Sequence, residues 1–206
     1  MISKAQGKMW ATSMAVGKQQ KLTSLDKAML KWAVVDPEDR LLDANIGTGM
    51  MAEYLRRNMQ CEVCGVSDNM ESVRAARSRL QNCDIVYAAA GDIPWRENAF
   101  DSVLLKYNGE EDSVFLRVLS EVSRVLRPGG QLILGAMCYP AAIKAITTLL
   151  ADAEMGEQQN FRKTAMMEMV SACEFENITW QRTGFGTGVM IAWKRKPDVA
   201  GMRSAS

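Results

Sequence analysis

The sequence predicts an α/β protein with an open, mostly parallel β-sheet, helices on both faces and an antiparallel hairpin at its C-terminal end. Three observations predict it. Short apolar segments alternate with amphipathic ones from Arg40 to Ala151, the pattern of strands joined by crossover helices. A glycine turn, Gly47-Thr48-Gly49, separates the first strand from its helix. Near the C-terminus two strand-like segments are joined by Gly184-Phe185-Gly186-Thr187-Gly188, a short glycine-containing link that makes them a hairpin.

In chain order, Thr23-Ser24-Leu25-Asp26 is a helix start, with an acid three residues after the capping threonine. Leu25, Met29 and Trp32 then recur at helical spacing, and Pro37 stops the helix. Arg40–Ala44 reads as a buried strand and Gly49–Met59 as the helix after the glycine turn. Glu62–Val66 is a strand and Met70–Leu80 a helix, followed by strands at Asp84–Ala88 and Phe100–Leu105. Asp112–Leu126 is a helix closed by Arg127-Pro128-Gly129-Gly130, a turn with an explicit stop. Gln131–Gly135 is a strand, Ala141–Ala151 and Phe161–Cys173 are helices, and Asn177–Arg182 and Val189–Lys194 form the hairpin. The expected organisation is one domain over 1–196, with a helical cap over 1–36 and a flexible tail over 197–206.

Composition narrows the function. The net charge is +1 and no Lys/Arg block occurs, which argues against a nucleic-acid surface. No apolar run reaches the ~18 residues of a membrane span, and no signal-peptide core follows Met1. The chain therefore reads as cytoplasmic, and its five cysteines suit a reducing compartment. It has no histidine, so the commonest general base and metal ligand is missing. Cys61 and Cys64 form a C-x-x-C, but three residues apart on a strand they face opposite ways, and no second pair completes a zinc site. No metal site is expected. The fifteen methionines, Met166, Met167 and Met169 among them, read as adaptable core filler or a pliable substrate lid.

The glycine turn points to a ligand, because backbone N–H groups and the helix dipole at such a turn favour anionic groups. Open α/β sheets bind ligands at the carboxyl ends of their strands. Gly47-Thr48-Gly49-Met50-Met51-Ala52 formally fits the dinucleotide pattern G-x-G-x-x-G/A. However, Asp43 ends the strand four residues before Gly47, with Asn45 and Ile46 inserted in the turn. A carboxylate there suits a cationic or amine-bearing ligand better than a pyrophosphate.

Four segments in order carry a family resemblance. Leu41-Leu42-Asp43-Ala44-Asn45-Ile46-Gly47-Thr48-Gly49 resembles V-L-D-x-G-C-G-T-G. Cys64-Gly65-Val66 with its helix resembles the second strand of that family. Gly91-Asp92-Ile93-Pro94-Trp95 and Ala99–Leu104 resemble GDAxxLPFxxxxFDxV, and Leu119–Leu132 resembles ExxRVLKPGGxL. These motifs are similar to those of class I S-adenosylmethionine-dependent methyltransferases, in the branch with ubiquinone- and menaquinone-type enzymes.

The resemblance implies a Rossmann-like, seven-stranded sheet with the last strand antiparallel. It implies S-adenosylmethionine as cofactor and direct SN2 methyl transfer to a small-molecule acceptor. Gly47 and Gly49 would let the backbone approach the methionine part of the cofactor, with Asp43 beneath it. Asp92 would accept from the adenine amino group and the Ile93 N–H would donate to a ring nitrogen. Tyr107 and Asn108, after the fourth strand, would lie over the sulfonium methyl, with Tyr107 the candidate catalytic residue and Glu110 and Glu111 the other candidate bases. Two positions depart from the pattern. Asn45 replaces a glycine, and Ser67 stands where the family has an acid that holds the ribose, with Asp68 one residue later. These departures keep a second reading open, a non-catalytic module binding cofactor weakly or not at all; a nicotinamide-dependent enzyme is the third. The acceptor pocket would draw on residues 1–30 and 136–165, with Trp10, Met14, Tyr139 and Phe161 as possible lining.

Overall fold

In this computed structural model the described residues are 21–107, 109–137, 163–184 and 187–197. The predicted strands form as β1 (Arg40–Asp43), β2 (Glu62–Ser67), β3 (Ile85–Tyr87), β4 (Phe100–Tyr107), β5 (Leu126–Met137), β6 (Phe175–Gly184) and β7 (Thr187–Lys194). The described helices are α1 (Ser24–Trp32), α2 (Met50–Met59), α3 (Met70–Arg79), α4 (Asp112–Val125) and α5 (Lys163–Ala172). The strands make one sheet in the order β3-β2-β1-β4-β5-β7-β6. β1 to β5 pair in parallel, and β7 runs antiparallel to both β5 and β6. The seven-stranded, mostly parallel sheet with a terminal hairpin is thus as expected.

Both faces of the sheet are covered, which is why its central strands are apolar on alternate and adjacent positions alike. One core joins alternate strand residues to Phe115, Leu119 and Val122 of α4 and Met166 and Val170 of α5. The other joins Leu41, Val63, Leu104 and Ile133 to Met29 of α1, Leu55 of α2 and Val73 and Ala76 of α3. Met167 and Met169 are partly buried against the first core. Cys64 lies in the first core and Cys61 in the second. Burial pushes the Cys64 thiol up to about 12 and raises that of Cys61, so neither is a thiolate near neutral pH. Among the described residues no cluster of His, Cys, Asp or Glu could hold a metal, and no helix is long and apolar enough to cross a membrane.

Element ends differ from the sequence reading where pairing partners extend a strand. β4 continues past Leu105 because Lys106 and Tyr107 pair with Gly135 and Ala136 of β5. β2 reaches Ser67, which pairs with Tyr87. Arg127–Gly130 is a bulge in β5 rather than a turn outside the sheet. Phe100 pairs with Leu126 and Ser102 with Gln131, so these four residues face Asp101 alone. The expected helix over 141–151, the cap residues 1–20, the tail over 198–206 and the hairpin tip 185–186 lie outside the described residues.

α1 is held in three ways. Thr23 and Asp26 form a complete capping box. Met29 packs on Gly135 of β5, where a Cβ would collide with the methionine sulfur. The buried Gln131 accepts from the Val34 N–H at 3.0 Å and donates to the Trp32 carbonyl at 3.2 Å.

Candidate functional site

β1 sits centrally, with β2 on one side and β4 on the other. The chain therefore changes direction across the sheet at the carboxyl end of β1, the switch point where open α/β sheets open a crevice. The glycine turn lies there. The Ala44 N–H donates to the Leu104 carbonyl at 2.9 Å and the Ile46 N–H to the Val66 carbonyl at 3.1 Å, so the turn is stitched to β4 and β2 at once.

The two glycines have different tasks. Gly47 has φ +52° and Gly49 φ +78°, a left-handed backbone that glycine adopts without penalty. At Gly47 a Cβ would meet nothing nearer than the Asn45 carbonyl at 3.8 Å; the space beside it is open. At Gly49 a Cβ would stand 2.9 Å from Leu80 Cδ1 and 3.3 Å from Ala76, so its lack of a side chain admits α3. Gly49 is also the N-cap of α2 and makes no side-chain capping bond, leaving the first-turn N–H groups of α2 without a side-chain acceptor. Asn45 does not have a positive φ; the turn does not ask its third residue for a left-handed backbone. Its side-chain oxygen instead accepts from the Lys106 N–H at 3.1 Å and ties the turn to β4.

Asp43 is 1% exposed. One carboxylate oxygen accepts from the Asn45 N–H at 3.2 Å, and the other is buried without a partner. Burial pushes its carboxyl up to about 6, against the opposing pull of Lys106 and the Asn45 N–H, with Asp26 adding to the rise. The folded chain thus holds a proton at Asp43 that the unfolded chain releases from about pH 4. Its contribution to stability falls as pH rises through that window to about 6. Asp26 and Glu121 act with the opposite sign. Asp26 is raised by burial but held lower overall by Lys106 and Thr23, and Glu121 is held down by Arg124. What they contribute is lost as pH falls through their depressed values.

At the end of β2 the Ser67 hydroxyl accepts from the Asn69 N–H at 3.1 Å. Asn69 in turn caps α3, accepting from the Glu71 and Ser72 N–H groups. Asp68 has left strand geometry and is exposed. The Ser67–Asp68 turn therefore lies one strand over from the glycine turn, beside the exposed Tyr87 of β3. Ser67→Asp is expected to tighten S-adenosylhomocysteine binding by up to ~1.5–3 kcal/mol, the worth of a charged hydrogen bond. Asp68→Ala is expected to weaken binding if Asp68 reaches back to the ribose, and titration calorimetry on both variants measures each effect.

The segment after β3 is organised by α4. The Ile93 N–H donates to Glu121 Oε2 at 2.9 Å, and the Ile93 and Trp95 carbonyls accept from Arg124 at 2.9 and 2.8 Å. Glu121 and Arg124 pair with each other at 2.7 Å. The Ile93 N–H is thus engaged within the chain, and Asp92 is exposed with its N–H on the Ala89 carbonyl. Four residues separate Trp95 from Phe100, the spacing of LPFxxxxFDxV. Counted back from Phe100-Asp101, Ile93 falls on the Leu of that pattern and Ala88-Ala89-Ala90 on its Gly-Asp-Ala. No carboxylate side chain is present at those three positions.

Tyr107 is the last residue of β4, not a residue beyond it, and is 6% exposed. Its ring meets Phe115 edge-on at 4.8 Å, and its hydroxyl donates to the Glu110 carbonyl at 2.9 Å. Asn108 lies outside the described residues, as do Trp10, Met14, Tyr139 and Phe161. Glu111 is the N-cap of α4 and makes no capping bond. Asp43, Asn45, Gly47 and Gly49 are brought together at the β1 end, and Ser67 and Asp68 stand beside them across β2. Asp92 and Ile93 stand in the loop after β3. Lys106 and Asp26, which reach the same place, carry no motif in the sequence. The only hint of Asp26 there is its capping role.

The family profile described as a methyltransferase domain matches residues 42–134. The demethylmenaquinone methyltransferase of Tropheryma whipplei is 22% identical over 201 residues, covering 84% of this chain and 81% of that protein. A SAM-dependent methyltransferase from Methanosarcina mazei superposes with a TM-score of 0.63 at 21% identity, over 79% of this chain and 95% of its own. The [4+2]-cyclase SpnF superposes with a TM-score of 0.67 at 20% identity, over 84% and 80%. The motif-bearing segment, residues 42–134, is thus similar to a methyltransferase domain, and the sheet order is that of the Rossmann-like fold of solved SAM-dependent methyltransferases.

Proposed function

We propose that this chain binds S-adenosylmethionine across the carboxyl ends of β1, β2 and β3 and transfers its methyl group to a small-molecule acceptor. The observation that carries this is the β1–turn–α2 unit, in which a buried Asp43 with one unpartnered oxygen lies beside the open space at Gly47 and the uncapped start of α2. Those features suit an amino acid: a carboxylate for its ammonium, and helix N–H groups for its carboxylate. Bound there, the cofactor supplies a methyl group already activated on a sulfonium. The chain's own residues bind, orient and exclude water. Alignment alone is worth ~7–11 kcal/mol, so a chain without histidine can serve. Tyr107, its hydroxyl proton held on the Glu110 carbonyl, is proposed to position the acceptor rather than to take its proton. The Ser67–Asp68 turn is proposed to meet the ribose, and Asp92 with the Ala88–Ala90 backbone to meet the adenine.

Calorimetry with S-adenosylhomocysteine and NAD tests the reading. Saturable binding of the first and none of the second is expected; the reverse would sink it. Ser67 in place of an acid and the engaged Ile93 N–H favour one alternative, a methyltransferase-like module with weak cofactor affinity and no transfer. It predicts Kd values well above those of turnover enzymes and no methyl loss from the cofactor.

A further inference from the structure

Lys106 extends from β4 onto the face of the sheet that α1 covers, and its ammonium lies 2.7 Å from Asp26 Oδ1. The Asp26 side chain is 8% exposed and that of Lys106 29%. Asp26 also accepts from the Thr23 N–H at 2.8 Å. Asp43 stands on the same face with its unpartnered oxygen. Two buried carboxylates therefore share one cation, and geometry gives that cation to Asp26. Among the described residues the other elements around Asp43 bring no further charge. β2 places Gly65 in register with it, β4 places Leu104, and α2 begins with Met50 and Met51. Glu53 of that first turn is paired with Arg57 and Arg79, each at 2.8 Å. A buried ionised carboxylate with one oxygen unpartnered is costly, so Asp43 takes up a proton below about pH 6 and favours a cation from outside the chain above it.

We propose that Asp26 of α1 is a positioning residue of the ligand site: by holding Lys106 it leaves Asp43 one cation short, and the ammonium of the bound ligand displaces a proton from Asp43 to solvent. This rests on the reading above for the identity of the ligand. The arrangement selects a ligand carrying a positive charge at its amino-acid end, and it couples the seating of α1 to occupation of the site. Without Asp26, Lys106 turns to Asp43 and supplies the missing charge internally. Without Lys106, both carboxylates lack their cation and Asp43 holds its proton more tightly. The two substitutions thus push Asp43 in opposite directions, although both remove a side chain from the same ion pair.

The test uses the full chain with S-adenosylhomocysteine as the probe, which carries the ammonium but no transferable methyl group. Titration calorimetry between about pH 4.5 and 8, in buffers of different ionisation enthalpy, reads affinity and protons released. Carbon-detected NMR of the Asp43 carboxyl reads its titration without ligand. For the unaltered chain the Asp43 midpoint is expected at about 6. One pH unit below it only about a tenth of the molecules are ionised, so affinity there is roughly tenfold weaker and binding releases close to one proton. Asp26→Asn is expected to move the midpoint down and abolish proton release at mildly acid pH, where the unaltered chain releases close to one. Lys106→Met is expected to move it up. Midpoints that stay in place, or move the same way in both variants, overturn the proposal. If the NMR midpoints separate as expected but S-adenosylhomocysteine binds at no pH, the charge coupling stands and the cofactor reading falls.

Discussion

Gly47→Val is expected to abolish S-adenosylhomocysteine binding while leaving the chain folded. The reason is where a side chain would go. Gly47 has φ +52°, and a Cβ there points into open space, with the Asn45 carbonyl 3.8 Å away. The core is untouched, so the cost in stability is the strain of a branched residue in left-handed backbone, about 1–2 kcal/mol. The same atoms occupy the space in which a ligand would approach the backbone of the turn. An affinity loss of roughly 100-fold or more is expected, about 2.8 kcal/mol at 1.4 kcal/mol per decade. Gly49→Val is the informative control, because there the Cβ meets Leu80 at 2.9 Å and the damage falls on the packing of α3 against the turn. Calorimetry and thermal denaturation on both variants separate the two. Normal binding by Gly47→Val would mean that the turn is structural and that the ligand lies elsewhere.

Phe115→Ala is expected to give the largest loss of stability. Phe115 is 1% exposed in the core between α4 and the sheet and makes the edge-on contact with Tyr107. Truncating a buried phenylalanine costs about 3–5 kcal/mol. For a domain of this size that is a fall in Tm of roughly 6–20 °C, readable by circular dichroism. The effect reaches the site. The Tyr107 ring loses the surface that fixes it, and the bond from its hydroxyl to the Glu110 carbonyl loosens with it. The last residues of β4 border the glycine turn through the bond from the Lys106 N–H to Asn45. Ligand affinity is therefore expected to fall as well, measured at a temperature where the variant is still folded. Unchanged Tm would show that the core closes around the gap without cost.

The sequence by itself determined the order of the elements, the two-sided sheet, the terminal hairpin and the glycine turn after β1. These depend on local matters: the period of apolar residues, the Thr23–Asp26 cap and the backbone freedom of glycine. The capping box at Thr23 and Asp26 forms as the spacing indicated, and Cys61 and Cys64 lie in opposite cores as three residues on a strand dictate. Only the tertiary structure decided where strands end and what each polar group meets. β4 runs on to Tyr107 because β5 offers Gly135 and Ala136 as partners. The Ile93 N–H belongs to Glu121, on a helix 28 residues further along. Asp26, legible as a helix cap, also holds Lys106 of β4, and this leaves Asp43 without a cation. Hydrogen-bond partners and burial are set by the meeting of distant segments, and the desolvation that raises the Asp43 carboxyl exists only once the chain has closed around it.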